Sequence, residues 1–237
     1  MLRFGISRKS LRLRVTSVAL LARAELAGVK HIVFISIVGA ERNRIYANHR
    51  TENHFKKLSI PSTILRPSLY MQNLSTLHRH DIQEHDRINI PGGAGLVNYI
   101  DVRDVAEVIV TVLMNPGHEN LAYEITGPEA IDFYEIARIF SNELGRDIKY
   151  NRPSTIRFVR QKLVDKKMLL YVLTLALLYN AVRGGKMNYT NDVYRNITGH
   201  DPRHLADFVH EYRECWLKTD QKKKSVSLKK RLYRLHK

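Results

Sequence analysis

Two short apolar segments with a helical segment between them constrain the fold of this chain more than any other feature. Residues 31–36 and residues 62–65 are runs rich in β-branched and aromatic side chains, bounded by turn residues such as Gly28 and Pro61. Such continuous apolar runs are typical of strands that are buried in a parallel sheet. Residues 49–59, which lie between them, have the apolar spacing of a helix. A strand–helix–strand order of this kind predicts an α/β fold.

The chain downstream alternates in the same way before it becomes mostly helical. Asp132 is placed to cap a helix over 133–144, and Gly145 is placed to end it. The segment Pro91–Gly95 is rich in glycine, but it lacks the Lys-Ser/Thr of a P-loop and leads into a strand, so we interpret it as a hairpin turn. The other predicted elements are a helix ending near Ala27, helices over 71–82, 101–114, 168–182 and 205–217, and strands over 96–100 and 122–126.

The strongly basic charge of +16 lies at the two ends of the chain. Residues 1–24 carry six Lys/Arg and no acid, and residues 218–237 carry nine Lys/Arg and one Asp, which leaves residues 25–217 at only +2. A phosphate-binding groove would need its basic residues on the folded body. We expect the C-terminal tail to be disordered. The alternative is that the tail forms a short amphipathic helix, which binds an acidic membrane surface or nucleic acid.

The amino-acid composition also indicates the cellular compartment. The single cysteine, Cys215, excludes an internal disulfide framework and favours a reducing compartment, so we expect a cytoplasmic protein. The residues before Glu25 include Arg and Ser but no acid, which resembles a mitochondrial targeting sequence and makes mitochondria the minor alternative. Residues 168–182 are strongly apolar but too short to span a bilayer, and we interpret them as a buried core or lid helix.

The phrase Thr63–Pro67, followed by Tyr70–Asn73, is part of a longer series of short sequence phrases in a fixed order. Through their order and spacing these phrases resemble the NmrA-like branch of the atypical short-chain dehydrogenase/reductases. The similarity extends from about Ala19 to about Trp216, and it implies a Rossmann domain with a smaller, helix-rich C-terminal substrate domain. It also implies NADP(H) or NAD(H) as the cofactor, in an oxidoreductase for quinone, azo or carbonyl compounds or in a redox-sensing regulator without turnover. The matching phrases are His49–Glu52, Thr63–Pro67, Tyr70–Asn73, Tyr99–Ala106, Ala122–Pro128 and Ile136–Phe140.

Relative to that family, the chain corresponds to the second half of the Rossmann sheet. The first half, with its glycine-rich phosphate loop, has no counterpart, because only 26 residues precede Ala27 and Gly5 is their only glycine. We therefore expect an N-terminally truncated chain with an incomplete Rossmann-like parallel sheet. Its strand at 31–36 would be an open edge, which pairs with a second copy or a complementing polypeptide.

The predicted division of the chain has four parts. They are a basic N-terminal segment over 1–24, a partial NAD(P)-binding domain over 25–150, a helical substrate-binding subdomain over 151–217 and a basic tail over 218–237.

The resemblance places cofactor contacts in two loops that follow strands. Ser36 and Gly39 follow the strand that passes under the nicotinamide ribose in the family. Loops at the carboxyl ends of parallel strands are where open α/β sheets hold their ligands. The alternative is structural: Ser36 caps a turn, Pro67 only ends a strand, and Arg66 pairs with a nearby acid, which we favour for Arg66. The second loop, where the family approaches the nicotinamide, contains Pro67, Ser68, Leu69 and Tyr70.

The resemblance implies no functional Tyr-x-x-x-Lys catalytic pair in this chain, because Asn48 occupies the position of the catalytic lysine. If a proton is delivered, Tyr46 or His49 is the candidate, and His49 has the suitable pKa range. The alternative, which we favour, is that both residues line or cap the start of a helix. The missing phosphate loop and the missing Tyr/Lys pair favour the hypothesis that the chain is a non-catalytic sensing or interaction module. The family resemblance favours the hypothesis that it is an oxidoreductase.

Two groups of charged residues resemble catalytic or metal-binding sites, but we assign a function to neither group. Asp101 and Asp104 precede or begin a helix at capping spacing, with Arg103 between them to balance charge. A histidine cluster among acidic residues lacks further fixed ligands, so we interpret it as part of a solvated helix and loop and predict no metal site. The three histidines are His78, His80 and His85.

Overall fold

The structure is a computed structural model that describes residues 21, 23–44, 46–164 and 169–218. The predicted targeting segment and the helix of the basic tail lie outside the described residues. The chain forms two compact units. Unit 1 contains Met1–Arg66 and Ile109–Tyr123, and unit 2 contains Pro67–Val108 and Glu124–Lys237.

The strands and helices alternate through the middle of the chain, and helices dominate its C-terminal part. The strands are β1 (Ile32–Ile35), β2 (Ser62–Pro67), β3 (Leu69–Tyr70), β4 (Arg87–Ile88), β5 (Val97–Ile100), β6 (Ala122–Ile125), β7 (Ala130–Ile131) and β8 (Lys149–Tyr150). The helices are α1 (Ala47–Phe55), α2 (Gln72–Ser75), α3 (Arg79–His85), α4 (Val102–Met114), α5 (Phe133–Leu144), α6 (Thr155–Val164), α7 (Leu169–Arg183), α8 (Val193–Thr198) and α9 (Leu205–Glu211), followed by a 3₁₀ helix over Arg213–Trp216.

Unit 1 is organised around the pairing of β1 with β2. The two strands are parallel, with Ile32 opposite Ser62. The helix α1 covers them through Phe55, whose ring stacks on Phe34 at a centroid distance of 4.7 Å. The strand order of this sheet is β1-β2-β6, so β1 is its edge within the described part of the chain. The predicted strand–helix–strand unit is confirmed.

The core of unit 2 forms where α5, α9 and the 3₁₀ helix meet. Trp216 is fully buried, and its ring meets Phe140 edge-on at 4.8 Å. Its indole Nε1 donates a hydrogen bond to the carbonyl of Leu74 over 3.2 Å. The side chain of Asp132 accepts a hydrogen bond from the backbone N–H of Glu135, which confirms the predicted cap of α5.

The hairpin interpretation of Pro91–Gly95 is wrong. The strands on either side are not paired with each other: β4 pairs with β8, and β5 pairs with β3 and β7. The glycines serve close packing instead, since a Cβ added at Gly95 would lie 2.1 Å from the backbone oxygen of Val182. Local turn chemistry could not reveal which strands pair.

Two helix predictions also need correction. The predicted helix over 71–82 is two short helices, α2 and α3, because the chain turns between Thr76 and His78. The predicted helix over 205–217 ends as α9 at Glu211 and continues as a tighter 3₁₀ turn. In the described ranges, no helix has the length and apolar character required to cross a membrane.

Candidate functional site

A buried ion pair lies next to the end of β1 in unit 1. Glu52 on the inward face of α1 is 1% exposed, and Arg66 near the end of β2 is 8% exposed. The guanidinium of Arg66 donates twice to the Glu52 carboxylate, from Nη2 over 2.7 Å and from Nε over 3.0 Å. The hydroxyl of Ser36 donates to the same carboxylate over 2.5 Å. The expectation that Arg66 pairs with a nearby acid is confirmed.

The electrostatics of this cluster favour the ionised glutamate. Burial by itself raises the pKa of Glu52, but the hydrogen bonds from Arg66 and Ser36 and the charge of Arg66 outweigh it, so the pKa lies below its usual value. A second carboxylate oxygen, Oε2 of Glu41, lies 3.3 Å from Nε of Arg66. The Ser36 side chain therefore positions the charged pair, while its backbone N–H extends the sheet by donating to Leu65 over 2.7 Å.

The loop after β1 is held by its own backbone and by a histidine. Gly39 has a φ of +78°, a left-handed conformation that favours glycine. His49 Nδ1 lies 2.8 Å from the carbonyl oxygen of Ala40, so this nitrogen carries the proton and donates. Nε2 of the same ring accepts from Asn53 over 3.0 Å. Both nitrogens of His49 are thus engaged, Nδ1 in holding the loop against α1 and Nε2 in a contact within α1.

Tyr46 occupies the N-cap position of α1 and is 40% exposed. Its carbonyl accepts a hydrogen bond from the backbone N–H of His49 over 3.1 Å. The two candidate proton donors therefore lie together at the start of α1. This placement corresponds to the structural alternative, in which both residues line or cap the helix.

The segment Pro67–Tyr70 of unit 2 was predicted to be a loop, but Pro67 is the last residue of β2 and Leu69–Tyr70 form β3. Hydrogen bonds from Ser68 fix the connection between the two strands. Its hydroxyl donates to Oδ1 of Asn98 over 2.7 Å, and its backbone N–H donates to the carbonyl of Ile125 over 2.9 Å. Leu69 is buried and pairs with Tyr99 in the neighbouring strand. Partial burial raises the pKa of the Tyr70 phenol, which therefore stays protonated near neutral pH.

Asn98 is an organising residue that the sequence analysis missed. It is 1% exposed in the middle of β5, and its Oδ1 accepts from the backbone N–H of Gly127 over 2.7 Å as well as from Ser68. Its Nδ2 donates to the carbonyls of Gly127 and Glu129 over 3.0 and 2.8 Å. A buried amide in an otherwise apolar strand has to be satisfied. The presence of an amide side chain within the strand Val97–Ile100 was the sequence signal that could have identified Asn98 as an organising residue.

The acidic residues at the start of α4 have structural roles, as predicted. Asp101 Oδ1 accepts from the backbone N–H of Arg103 over 2.8 Å, and the Arg103 guanidinium pairs with the same carboxylate over 2.7 Å. Gln72 also donates to Asp101, over 2.9 Å. Asp104 is paired with Arg203.

The histidine cluster was interpreted as solvated, and for His78 this is wrong. His78 is 1% exposed, and its Nε2 lies 2.5 Å from the hydroxyl of Tyr179 on α7. Burial lowers the pKa of His78 to about 3, so the ring is neutral. Its neighbours His80 and His85 are exposed, as predicted. Among the described residues, no group of three or more His, Cys, Asp or Glu side chains is arranged to hold a metal ion.

A parallel sheet with short polar loops at its strand ends, covered by helices, defines a Rossmann-like α/β protein. Triphenylmethane reductase from Citrobacter sp., solved in complex with NADP(H), shares the fold with a TM-score of 0.73 and 25% sequence identity, covering 87% of this chain and 73% of that one. The sequence model of the NmrA-like family matches residues 13–208. The chain therefore belongs to the NmrA-like family, and the predicted fold class is confirmed.

Two curated relatives are oxidoreductases. An NAD(P)H azoreductase from Xenophilus azovorans is 36% identical over 136 residues, which are 56% of this chain and 47% of that protein. An uncharacterized oxidoreductase from Bacillus subtilis is 29% identical over 199 residues, which are 83% of this chain and 68% of that protein. The chain thus spans about half the length of the azoreductase that it matches.

Proposed function

We propose that this chain binds NADP(H) or NAD(H), and that each of its two units contributes candidate contact residues. The observation that carries the proposal is its membership of the NmrA-like family together with its similarity to a reductase solved with NADP(H). In unit 1 the candidates are Ser36 and Gly39, in the loop after β1. In unit 2 they are Pro67, Ser68, Leu69 and Tyr70, from the end of β2 through β3. When bound, the dinucleotide would supply or accept a hydride.

The residues of the first loop are compatible with such a ligand. A Cβ added at Gly39 would meet no atom within 4 Å, so the loop backbone has open space beside it. The loop is also held in place, since His49 binds the carbonyl of Ala40. A rigid backbone with free space beside it is a preformed surface for a flat, polar ligand, which lowers the entropy lost on binding.

The reaction that we propose is hydride transfer from the reduced dinucleotide to a quinone, azo or carbonyl compound. The named relatives support the reaction class, because they include an NAD(P)H azoreductase and a triphenylmethane reductase. In this chain the residues would bind and orient the cofactor. Tyr46 and His49 are the candidates to deliver a proton to the reduced product, provided that His49 exchanges its present hydrogen bonds.

The first test is a titration of the full chain with NADPH in high salt, which screens phosphate binding by the basic ends. We expect saturable binding with a dissociation constant on the order of micromolar, and Gly39→Val should weaken it about tenfold or more because the side chain fills the space beside the loop. Gly117→Val is the matched control, since Gly117 also lies in unit 1 with a positive φ and open surroundings. Equal affinities of the two variants, or no saturable binding by the folded wild type, would refute the proposal.

A second candidate function is a sensing or interaction module that binds the dinucleotide without turning it over. The double engagement of His49 favours it, because a ring whose two nitrogens are both hydrogen-bonded is not free to donate a proton. Loss of NADPH absorbance in the presence of a quinone distinguishes the two functions. Turnover supports the oxidoreductase, and saturable binding without turnover supports the sensing module.

We further propose that β1 is a pairing edge, through which the chain forms a homodimer or takes up a complementing polypeptide. Ile35 on this strand is 45% exposed. A lysine on an exposed edge strand disfavours strand addition, so Ile35→Lys should shift the protein toward a monomer in light-scattering chromatography. Val110→Lys, at an apolar position of α4 that is 60% exposed, should leave the size unchanged. A monodisperse wild-type monomer that melts cooperatively would count against the pairing edge.

A further inference from the structure

The helices α6 and α7 form an antiparallel hairpin whose inner side is firmly packed in unit 2. Thr155 at the start of α6 donates from Oγ1 to Oδ1 of Asn180 near the end of α7, over 3.1 Å. Further along, the rings of Phe158 and Tyr179 meet edge-on at 5.9 Å. Both rings are fully buried. The inner side of the hairpin is therefore part of the unit 2 core.

The outer side of the same hairpin exposes large apolar side chains. Leu169, Leu173 and Leu177 recur every four residues and are 56%, 44% and 72% exposed. On α6, Ile156 and Val164 are 75% and 80% exposed. Side chains at i and i+4 share one face of a helix, so the exposed leucines form a continuous stripe along α7. Contiguous exposed apolar patches on folded proteins mark sites of interaction.

The hairpin is also the most basic part of the folded body. Residues 151–190 contain eight Lys/Arg and one Asp, a net +7, whereas residues 25–150 contain 13 Lys/Arg and 16 Asp/Glu, a net −3. The exposed basic residues of the hairpin and of the turn after it have no ion-pair partner among the residues that the structure describes. These residues are Arg157, Arg160, Arg183 and Lys186.

We propose that this outer surface of α6 and α7 docks on the anionic surface of a phospholipid bilayer. Exposed apolar side chains flanked by basic residues are typical of helices that lie in the membrane interface, and here α7 supplies the leucine stripe while α6 supplies Ile156, Arg157 and Arg160. Acidic headgroups would complement the exposed basic residues Arg157, Arg160, Arg183 and Lys186, whereas Lys162 is buried and paired with Asp81. A second copy of the chain, meeting this one through the same surface, would instead bring two equally basic surfaces together. The hairpin would therefore lie on the membrane.

The test has to separate the hairpin from the basic ends of the chain, which also attract acidic lipids. We would attach an environment-sensitive fluorophore at Leu177→Cys in the full chain, on a Cys215→Ser background. The matched control is the label at Met114→Cys, a position that is 77% exposed on α4. Vesicles of phosphatidylcholine with phosphatidylserine should shift the Leu177 label to shorter wavelength and leave the Met114 label unchanged. Sedimentation with these vesicles without a shift at position 177 would show binding through the ends and would overturn the proposal.

Unlabelled variants supply a second readout. Replacing Ile156 and Leu177 together by asparagine should reduce partitioning into these vesicles about tenfold, because two exposed apolar anchors are lost. Met114→Asn should leave partitioning unchanged, and both variants should keep the wild-type circular dichroism spectrum. A shift of the Leu177 label that is as large with poly-glutamate as with vesicles would assign the surface to an acidic protein partner and refute the membrane proposal.

Discussion

Replacing Gly127 by alanine is expected to destabilise the fold strongly, which is the largest effect that we anticipate for a single methyl group in this protein. A Cβ at this position would lie 1.8 Å from the backbone oxygen of Tyr99 and 2.9 Å from its carbonyl carbon. The obstacle is the backbone of β5, which cannot rotate away as a side chain can. Gly127 itself is held from both sides, because its N–H and its carbonyl are both bonded to Asn98. We expect a loss of more than about 3 kcal/mol in the free energy of unfolding.

The measurement is urea unfolding followed by circular dichroism, with Gly184→Ala as the matched control. Gly184 follows α7, and the nearest atom to an added Cβ there is 3.4 Å away, which is ordinary van der Waals contact. Its variant should stay within about 0.5 kcal/mol of the wild type. Superimposable unfolding curves for the two variants would show that β5 and Gly127 are not in close contact.

Elements with local signals could be predicted from the sequence. The helix α5 begins and ends where its cap residues indicate, because Asp132 bonds the first turn and Gly145 adopts the left-handed conformation that ends it. The pairing of β1 with β2 also follows from local signals, since two apolar runs joined by a helix form a parallel unit. In both cases the determining residues are close together in the chain.

The polar interior could not be predicted, because its partners are distant in sequence. His78 is buried against Tyr179, which lies 101 residues further along the chain, and nothing near His78 indicates this. Asn98 bonds groups 29 and 31 residues further along the chain. Arg66 was expected to pair with an acid, but the sequence did not identify Glu52 as that acid. A pattern of residue types shows that a group needs a partner, whereas only the fold shows which partner it has.

The buried pair of Glu52 and Arg66 provides the second large expected effect. Glu52→Ala should lower the free energy of unfolding by about 3–5 kcal/mol, because the Arg66 guanidinium would remain buried beside the cavity without its main carboxylate partner. Glu52→Met combined with Arg66→Met should recover a large part of this loss, since it removes both charges and keeps the volume. The surface control is Glu135→Gln, whose exposed pair with Arg138 should contribute about 1 kcal/mol or less.

The pH dependence of the same pair gives a separate test. The folded state holds the pKa of Glu52 below its usual value, so between the two values the unfolded chain binds the extra proton. The contribution of ionised Glu52 to the free energy of unfolding is therefore complete above the usual glutamate pKa of 4.5. It is lost as the pH falls through the lower pKa of Glu52 in the folded protein. The pKa values of the buried Asp81 and Asp101 are also lowered, whereas burial raises the pKa of Asp104. The informative quantity is therefore the difference between wild type and Glu52→Gln. That difference should shrink as the sample is acidified below pH 4.5, and a difference that stays constant there would mean that folding does not lower the pKa of Glu52.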